Sequence, residues 1–88
     1  MAPFMHTIKG RIVSLDGNKK EISLLVKDNL GEAVVQKKLD FNLDSHVRIT
    51  NGSEQSMGLS ALKINQNVEV GYFSNKSKMT ASFIRVIN

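Results

Sequence analysis

An all-β domain, a small five- to six-stranded barrel that is closed or partly open, is the fold this 88-residue sequence predicts. Three observations carry the prediction. Apolar residues recur at every second position along most of the chain, the period of a strand rather than a helix. The runs are rich in β-branched residues and are punctuated at short intervals by Asp, Asn and Gly clusters. Finally, five or six strands in so short a chain would leave long unpaired edges if the sheet stayed flat, a liability that closure removes. Proline occurs once, at Pro3, and no low-complexity tract or shift of composition interrupts the chain, so residues 1–88 read as one domain.

The first run, Met5 to Leu15, carries Ile8, Ile12 and Val13 around Gly10, and a glycine inside a strand marks a bulge or a bend where the sheet curls. Asp16-Gly17-Asn18 then supplies residues that tolerate positive φ, which predicts a hairpin into Glu21–Lys27. There Ile22, Leu24 and Val26 alternate against Glu21, Ser23, Leu25 and Lys27. A turn over Asp28-Asn29-Leu30-Gly31-Glu32 leads to a third strand with Ala33, Val35, Lys37, Leu39, Phe41 and Leu43 on one face. Val34, Gln36, Lys38, Asp40 and Asn42 lie on the other. Val47 and Ile49 suggest a short fourth strand from about His46, closed by Asn51-Gly52.

The stretch GSEQSMGLSAL is too short for a stable helix and lacks alternation, so it reads as a connecting loop with one helical turn plugging the barrel end. In LKINQNVEV the three amides Asn65, Gln66 and Asn67 separate two alternating segments. Asparagine adopts the left-handed backbone readily and bonds nearby main chain, so these amides are assigned to a turn. Val68, Val70 and Tyr72 resume a strand, Ser74 to Lys78 turn, and Met79 to Ile87 form the last strand. Strict alternation fits that last run poorly, because Ala81, Phe83 and Ile87 oppose Ile84 and Val86. Either a bulge intervenes or both faces are covered. An oligonucleotide/oligosaccharide-binding-type (OB-like) barrel is the first expectation, with an SH3-like barrel as the alternative.

Several of these segments share a spacing with a known group. Gly10-Arg11-Ile12-Val13-Ser14-Leu15-Asp16-Gly17 followed by Glu21-Ile22-Ser23-Leu24, the strand end Val47-Arg48-Ile49-Thr50, LKINQNVEV, and Ala81 with Ile84 together span most of the chain. In this pattern the sequence resembles a bacterial family of small domains of unknown function with an OB-like barrel. Where that pattern has glycine this chain has Asn65, which preserves the turn. The resemblance implies a fold and no activity. It also implies an extracytoplasmic setting as an open alternative, since such domains often look exported or envelope-associated.

Composition narrows the chemistry. With 41% hydrophobic and 23% charged residues the chain has the makeup of a globular domain. It contains no cysteine, which excludes disulfides and thiolate metal sites. No apolar run approaches the roughly 18 residues of a membrane span, and the first residues lack the long apolar segment of a secretory signal. The net charge of +4 sits mostly in residues 45–88, where five basic residues face two acidic ones, and favours anionic partners weakly.

Candidate catalytic and metal sites fail on geometry. Asp44-Ser45-His46 contains the residue types of acyl transfer, but along an extended segment Ser45 points away from its neighbours. Asp44 and His46 leave only His6 as a further imidazole, without diagnostic metal-ligand spacing. Asp28–Glu32 lacks the alternating acids of a calcium loop. Gly58 and Gly71 stand outside any phosphate-binding loop. Asn51-Gly52-Ser53 and Asn75-Lys76-Ser77 match the short glycan-acceptor pattern and carry no assignment.

The sequence therefore predicts a non-enzymatic binding or interaction module, without cofactor or metal, whose partner is a protein or an extended ligand. One alternative is single-stranded nucleic acid, held by basic residues on the second to fourth strands (Lys19, Lys20, Lys27, Lys37, Lys38, Arg48) and by an outward Phe73. Phe41, Tyr72 and Phe83 are expected inside. On that reading Lys37, Lys38, Arg48 and Phe73 line one surface. The other alternative is a structural domain of an envelope protein. Oligomeric state and compartment stay open.

Overall fold

The computed structural model describes residues 5–31, 33–53, 55–76 and 78–87, and of residues 28–30 and 33 the backbone alone. It has five strands: β1 (His6–Asp16), β2 (Glu21–Leu30), β3 (Ala33–Thr50), β4 (Asn67–Asn75) and β5 (Lys78–Val86). They form a closed barrel in the order β1-β2-β3-β5-β4, with β4 returning to β1. The β3–β5 pair is parallel and the others are antiparallel. The five-stranded, OB-like expectation is met. No described helix is long and apolar enough to cross a membrane.

Two long strands close the ring by each serving two partners. β1 pairs with β4 over His6–Arg11 and with β2 over Arg11–Asp16. The change of partner falls where Gly10 was expected to bend the strand, whereas the register break comes just after it, between Ile12 and Ser14. Gly10 serves close approach: a Cβ there would stand 3.0 Å from the Leu25 carbonyl oxygen and 3.2 Å from the Leu24 and Val26 side chains. Because that carbonyl belongs to a paired strand, Gly10→Ala is expected to cost about 1 kcal/mol, the low end of overpacking, seen as a lower urea midpoint at unchanged m-value.

β3 is the second such strand, and here the sequence expectation is corrected. The short fourth strand from about His46 is the continuation of the third. β3 pairs with β2 up to Asn42 and with β5 from Asn42 onward, so one 18-residue strand changes partner without stopping. The first half of β3 and the end of β2 project as a ribbon, which leaves Val34 and Val35 exposed although alternation gave Val35 an inner face. Alternation reports which side a residue takes, not whether a core lies beneath it.

Ile12, Ile22, Leu24, Phe41, Val68, Val70 and Ile84 are the largest fully buried side chains. Phe41 meets the Tyr72 ring edge to face at 5.0 Å between centroids. The connecting segment has the expected single helical turn: the 3-10 turn Leu59–Ala61 precedes buried Leu62, while Met57 and Leu59 pack against the core. Turn chemistry accounts for two of the three amides, while Asn67, expected in the turn as well, is the first residue of β4. Asn65 is left-handed at φ 78°, its N–H donates to the Ile12 carbonyl, and the Gln66 side-chain oxygen accepts from the Lys63 N–H. In the first hairpin Asp16 accepts from the N–H groups of Asn18 and Lys19, and positive φ falls on Lys20 instead of Gly17 or Asn18. The turn expected over 28–32 is shorter, since β2 runs to Leu30 and β3 begins at Ala33; Gly31 has φ 66°, and Glu32 lies outside the described residues.

Candidate functional site

The last strand decides which side chains face outward. Tyr72 pairs with Ala81 and Gly71 with Phe83, so Ser82 is an extra residue, a β-bulge. The bulge reverses the alternation after Ala81. Ala81, Ile84 and Val86 are buried inside, and Phe83 and Arg85 turn outward. The bulge alternative for this run is the one adopted, and the expectation that Phe83 faces the core is corrected. The Ser82 hydroxyl stands 3.4 Å from both the Gly71 carbonyl and the Met5 sulfur.

A second irregularity lies opposite the first. Leu43 pairs with Ala81 and Arg48 with Phe83, so the four residues Asp44 to Val47 on β3 face the single residue Ser82 on β5. Bulges thus coincide on both strands and widen the outer surface locally. The Phe83 ring lies flat over Gly71, where an added Cβ would overlap it.

Between these strands the outer face holds an open depression of about 740 Å³. Arg48, His46, Phe73 and Phe83 line it, with Asp44 at one margin and Arg85 with Glu69 at the other. Arg85 donates to the Glu69 carboxylate at 2.8 Å, which fixes both side chains across β4 and β5. Its groups therefore combine two phenyl rings, an imidazole, a carboxylate, one structured ion pair and the Arg48 guanidinium, which has no ion-pair partner among the described residues.

Of the four residues singled out from sequence, Arg48 and Phe73 meet in this depression. Lys37 and Lys38 do not join them. Lys38 pairs in register with Leu25 on the outer side of β2–β3, with its ammonium 4.0 Å from the Asp40 carboxylate. Lys37 projects to the other side and lines a different depression with Ile8 and Leu39. Phe83 and Arg85 were missed, and the failed alternation of Met79–Ile87 was the signal that could have found them.

The triad residue types acquire a different setting. Asp44 and His46 line the depression and Ser45 is exposed outside it, as period-two geometry requires. Among the described residues no hydroxyl is hydrogen-bonded to an imidazole, so no nucleophile and base are paired.

No family model matches this chain, and no curated protein does either. Solved structures do match. Crystalline silver-bound CusF superposes with a TM-score of 0.73 at 12% identity, over 97% of this chain and 100% of the other. A tryptophan-to-alanine variant of Escherichia coli CusF with Cu(II) gives 0.68 at 10% identity, over 100% and 98%. Escherichia coli CusF with Ag(I) gives 0.67 at 10% identity, over 98% and 95%. The chain shares their small β-barrel fold.

Proposed function

We propose that this protein is a non-enzymatic binding module that takes a protein partner on the outer face of β3, β5 and β4. The observation that carries the reading is the convergence of Arg48, Phe73 and Phe83 in one depression, beside the Arg85–Glu69 pair. Arginine and aromatic side chains are the groups that dominate binding energy at protein interfaces, because they bury much area for little conformational entropy and carry a polar handle. The coinciding bulges support this, since they remove the flat pairing surface and leave a shaped one.

The test is selection of a phage-displayed random-peptide library on the immobilised protein, followed by affinity measurement of the selected peptides. Phe83→Ala and Arg48→Ala are each expected to weaken them by about 2 kcal/mol, the hot-spot scale. Peptides that bind both variants as well as the parent would overturn the assignment of this face.

Single-stranded nucleic acid is the second reading, and one observation favours it: the outward turn of Phe83 supplies, next to Phe73 and Arg48, the stacking partner that sequence alone lacked. Charge balance weighs against it, because Asp44 and Glu69 offset Arg48 and Arg85 in the same depression. Anisotropy of a labelled mixed-sequence single-stranded oligonucleotide, at low and at physiological salt, separates the two. A steep salt-dependent affinity favours nucleic acid.

The metals of the similar structures suggest a metal-binding reading, to which the described residues add no ligand cluster. The chain has no cysteine, and among the described residues no three His, Cys, Asp or Glu side chains group as ligands. His6 packs on Tyr72 with ring centroids 5.4 Å apart, His46 sits on β3, and Met57 and Met79 pack against the core. The Met5 sulfur faces the Ser82 hydroxyl at 3.4 Å.

A further inference from the structure

Within the closed barrel, β1 and β2 pair along only part of their length. Their ladder runs from Asp16–Glu21 to Arg11–Leu25 and stops there. Beyond that point β1 continues back to His6 along β4, while β2 continues to Leu30 along β3. Two strand edges, residues 6–10 and 26–30, therefore diverge from a common root where Gly10 stands close to Leu25 and Val26.

The backbone groups on those edges can be assigned. The Ile12 N–H and C=O are bonded on the β4 side, to Gln66 and Asn65. Alternation along the strand then points the N–H and C=O of Lys9 and Thr7 toward β2. On β2, the Lys20 carbonyl accepts from the Leu43 N–H on the β3 side. The groups of even-numbered residues continue toward β3, and those of Lys27 and Asn29 point toward β1. Thr7, Lys9, Lys27 and Asn29 thus present two rows of main-chain donors and acceptors with no strand between them.

Among the described side chains around the gap, cations outnumber carboxylates four to one. Depressions of about 520 and 570 Å³ flank it, and Lys9 and Lys27 line both. Arg11 joins the first and Lys37 the second. Among the described side chains lining them the single carboxylate is Glu69, and Arg85 holds it at 2.8 Å. Lys9, Arg11 and Lys27 share the outer face, since Ile8, Ile12 and Val26 between them turn inward.

We propose that this cleft is an acceptor for an extended acidic peptide, which adds as a strand to the free edge of β2 and places acidic side chains at every second position against Lys9, Arg11 and Lys27. Main-chain pairing supplies affinity and the alternate pockets supply specificity, as in other strand-addition complexes. A second copy of this chain is disfavoured as the occupant, because pairing β2 edges would set lysines against lysines. Nucleic acid would satisfy the cations but has no alternating amide ladder to offer the edges. The cleft uses none of the residues of the β3–β5–β4 face except Glu69 at its margin.

The experiment is anisotropy titration of a fluorescein-labelled peptide of alternating glutamate and threonine, alongside the same peptide interrupted by prolines and a labelled oligothymidylate. The expected result is saturable binding of the alternating peptide that weakens with salt, and at least about tenfold weaker binding of the proline-interrupted one. Lys27→Pro removes an N–H that faces the gap and spares the β3 ladder, so it should weaken the alternating peptide by about tenfold; Lys27→Glu should do the same through charge. If Lys27→Pro fails to fold, amide hydrogen exchange on the unaltered protein replaces it: the amides of Lys27 and Asn29 on the β2 edge should gain protection when peptide is added. Equal binding of both peptides, binding without protection of those amides, binding of oligothymidylate alone, or no binding at all would each overturn the proposal.

Discussion

Phe41→Ala is expected to destabilise the barrel by about 3–5 kcal/mol, the range for removing a fully buried phenylalanine from a packed core. Phe41 is 1% exposed and belongs to the largest fully buried side chains. It stands on β3 opposite Ile22 of β2 and touches Tyr72 of β4, so it links strands from both sides of the ring. A domain of 88 residues has a total stability of about 5–15 kcal/mol, so the loss is a large share of the whole. Urea unfolding followed by circular dichroism reads it as a fall in midpoint. The contact itself can be isolated. The edge-to-face pair contributes about 0.5–1.5 kcal/mol beyond area, so Tyr72→Leu should cost that much more in the parent than in a Phe41→Leu background. A loss below about 1 kcal/mol for Phe41→Ala would mean that the barrel is not closed around this ring.

The parts of this fold that were legible in the sequence are those whose cause is local. Ile22, Leu24 and Val26 alternate within a few residues of each other, and all three are buried. Asn65 needs only its own backbone freedom to make a turn, and it makes one. The merger of two expected strands into β3 was not legible, because Val47 and Ile49 look the same whether the chain before them turns or merely changes partner. That choice is made by β5, 30 and more residues away, which pairs with both Leu43 and Arg48.

The candidate site was legible only in part for the same reason. Alternation places Lys37 and Lys38 on opposite faces, and they are on opposite sides of the strand. Placing all four chosen residues on one surface therefore conflicted with the very period used to find the strands. Arg48 and Phe73 belong to different strands whose neighbour, β5, was read in the wrong phase. One bulged residue, Ser82, shifts Phe83 from core to surface and brings Arg48, Phe73 and Phe83 together. A period-two pattern has no memory across a bulge, so a single inserted residue converts an expected core ring into a surface group.

Gly71 and Phe83 should show that this outward ring is built into the architecture. Gly71→Ala places a Cβ inside the volume of the Phe83 ring, and something must shift. The backbone on either side is committed to β1 and β5, so the ring has to leave. The expected cost is about 2–3 kcal/mol, toward the upper end of overpacking, and Phe83 should become more accessible to solvent. In a Phe83→Ala background the obstacle is gone. There Gly71→Ala only replaces a conformationally free residue inside a strand, which favours folding by about 0.5–1 kcal/mol. The same substitution is thus expected to change sign between the two backgrounds, a coupling that urea unfolding of the four proteins measures directly. If Gly71→Ala costs the same with and without the ring, Phe83 does not rest on Gly71, and the outer face of β3, β5 and β4 loses the ordered aromatic on which its binding role depends.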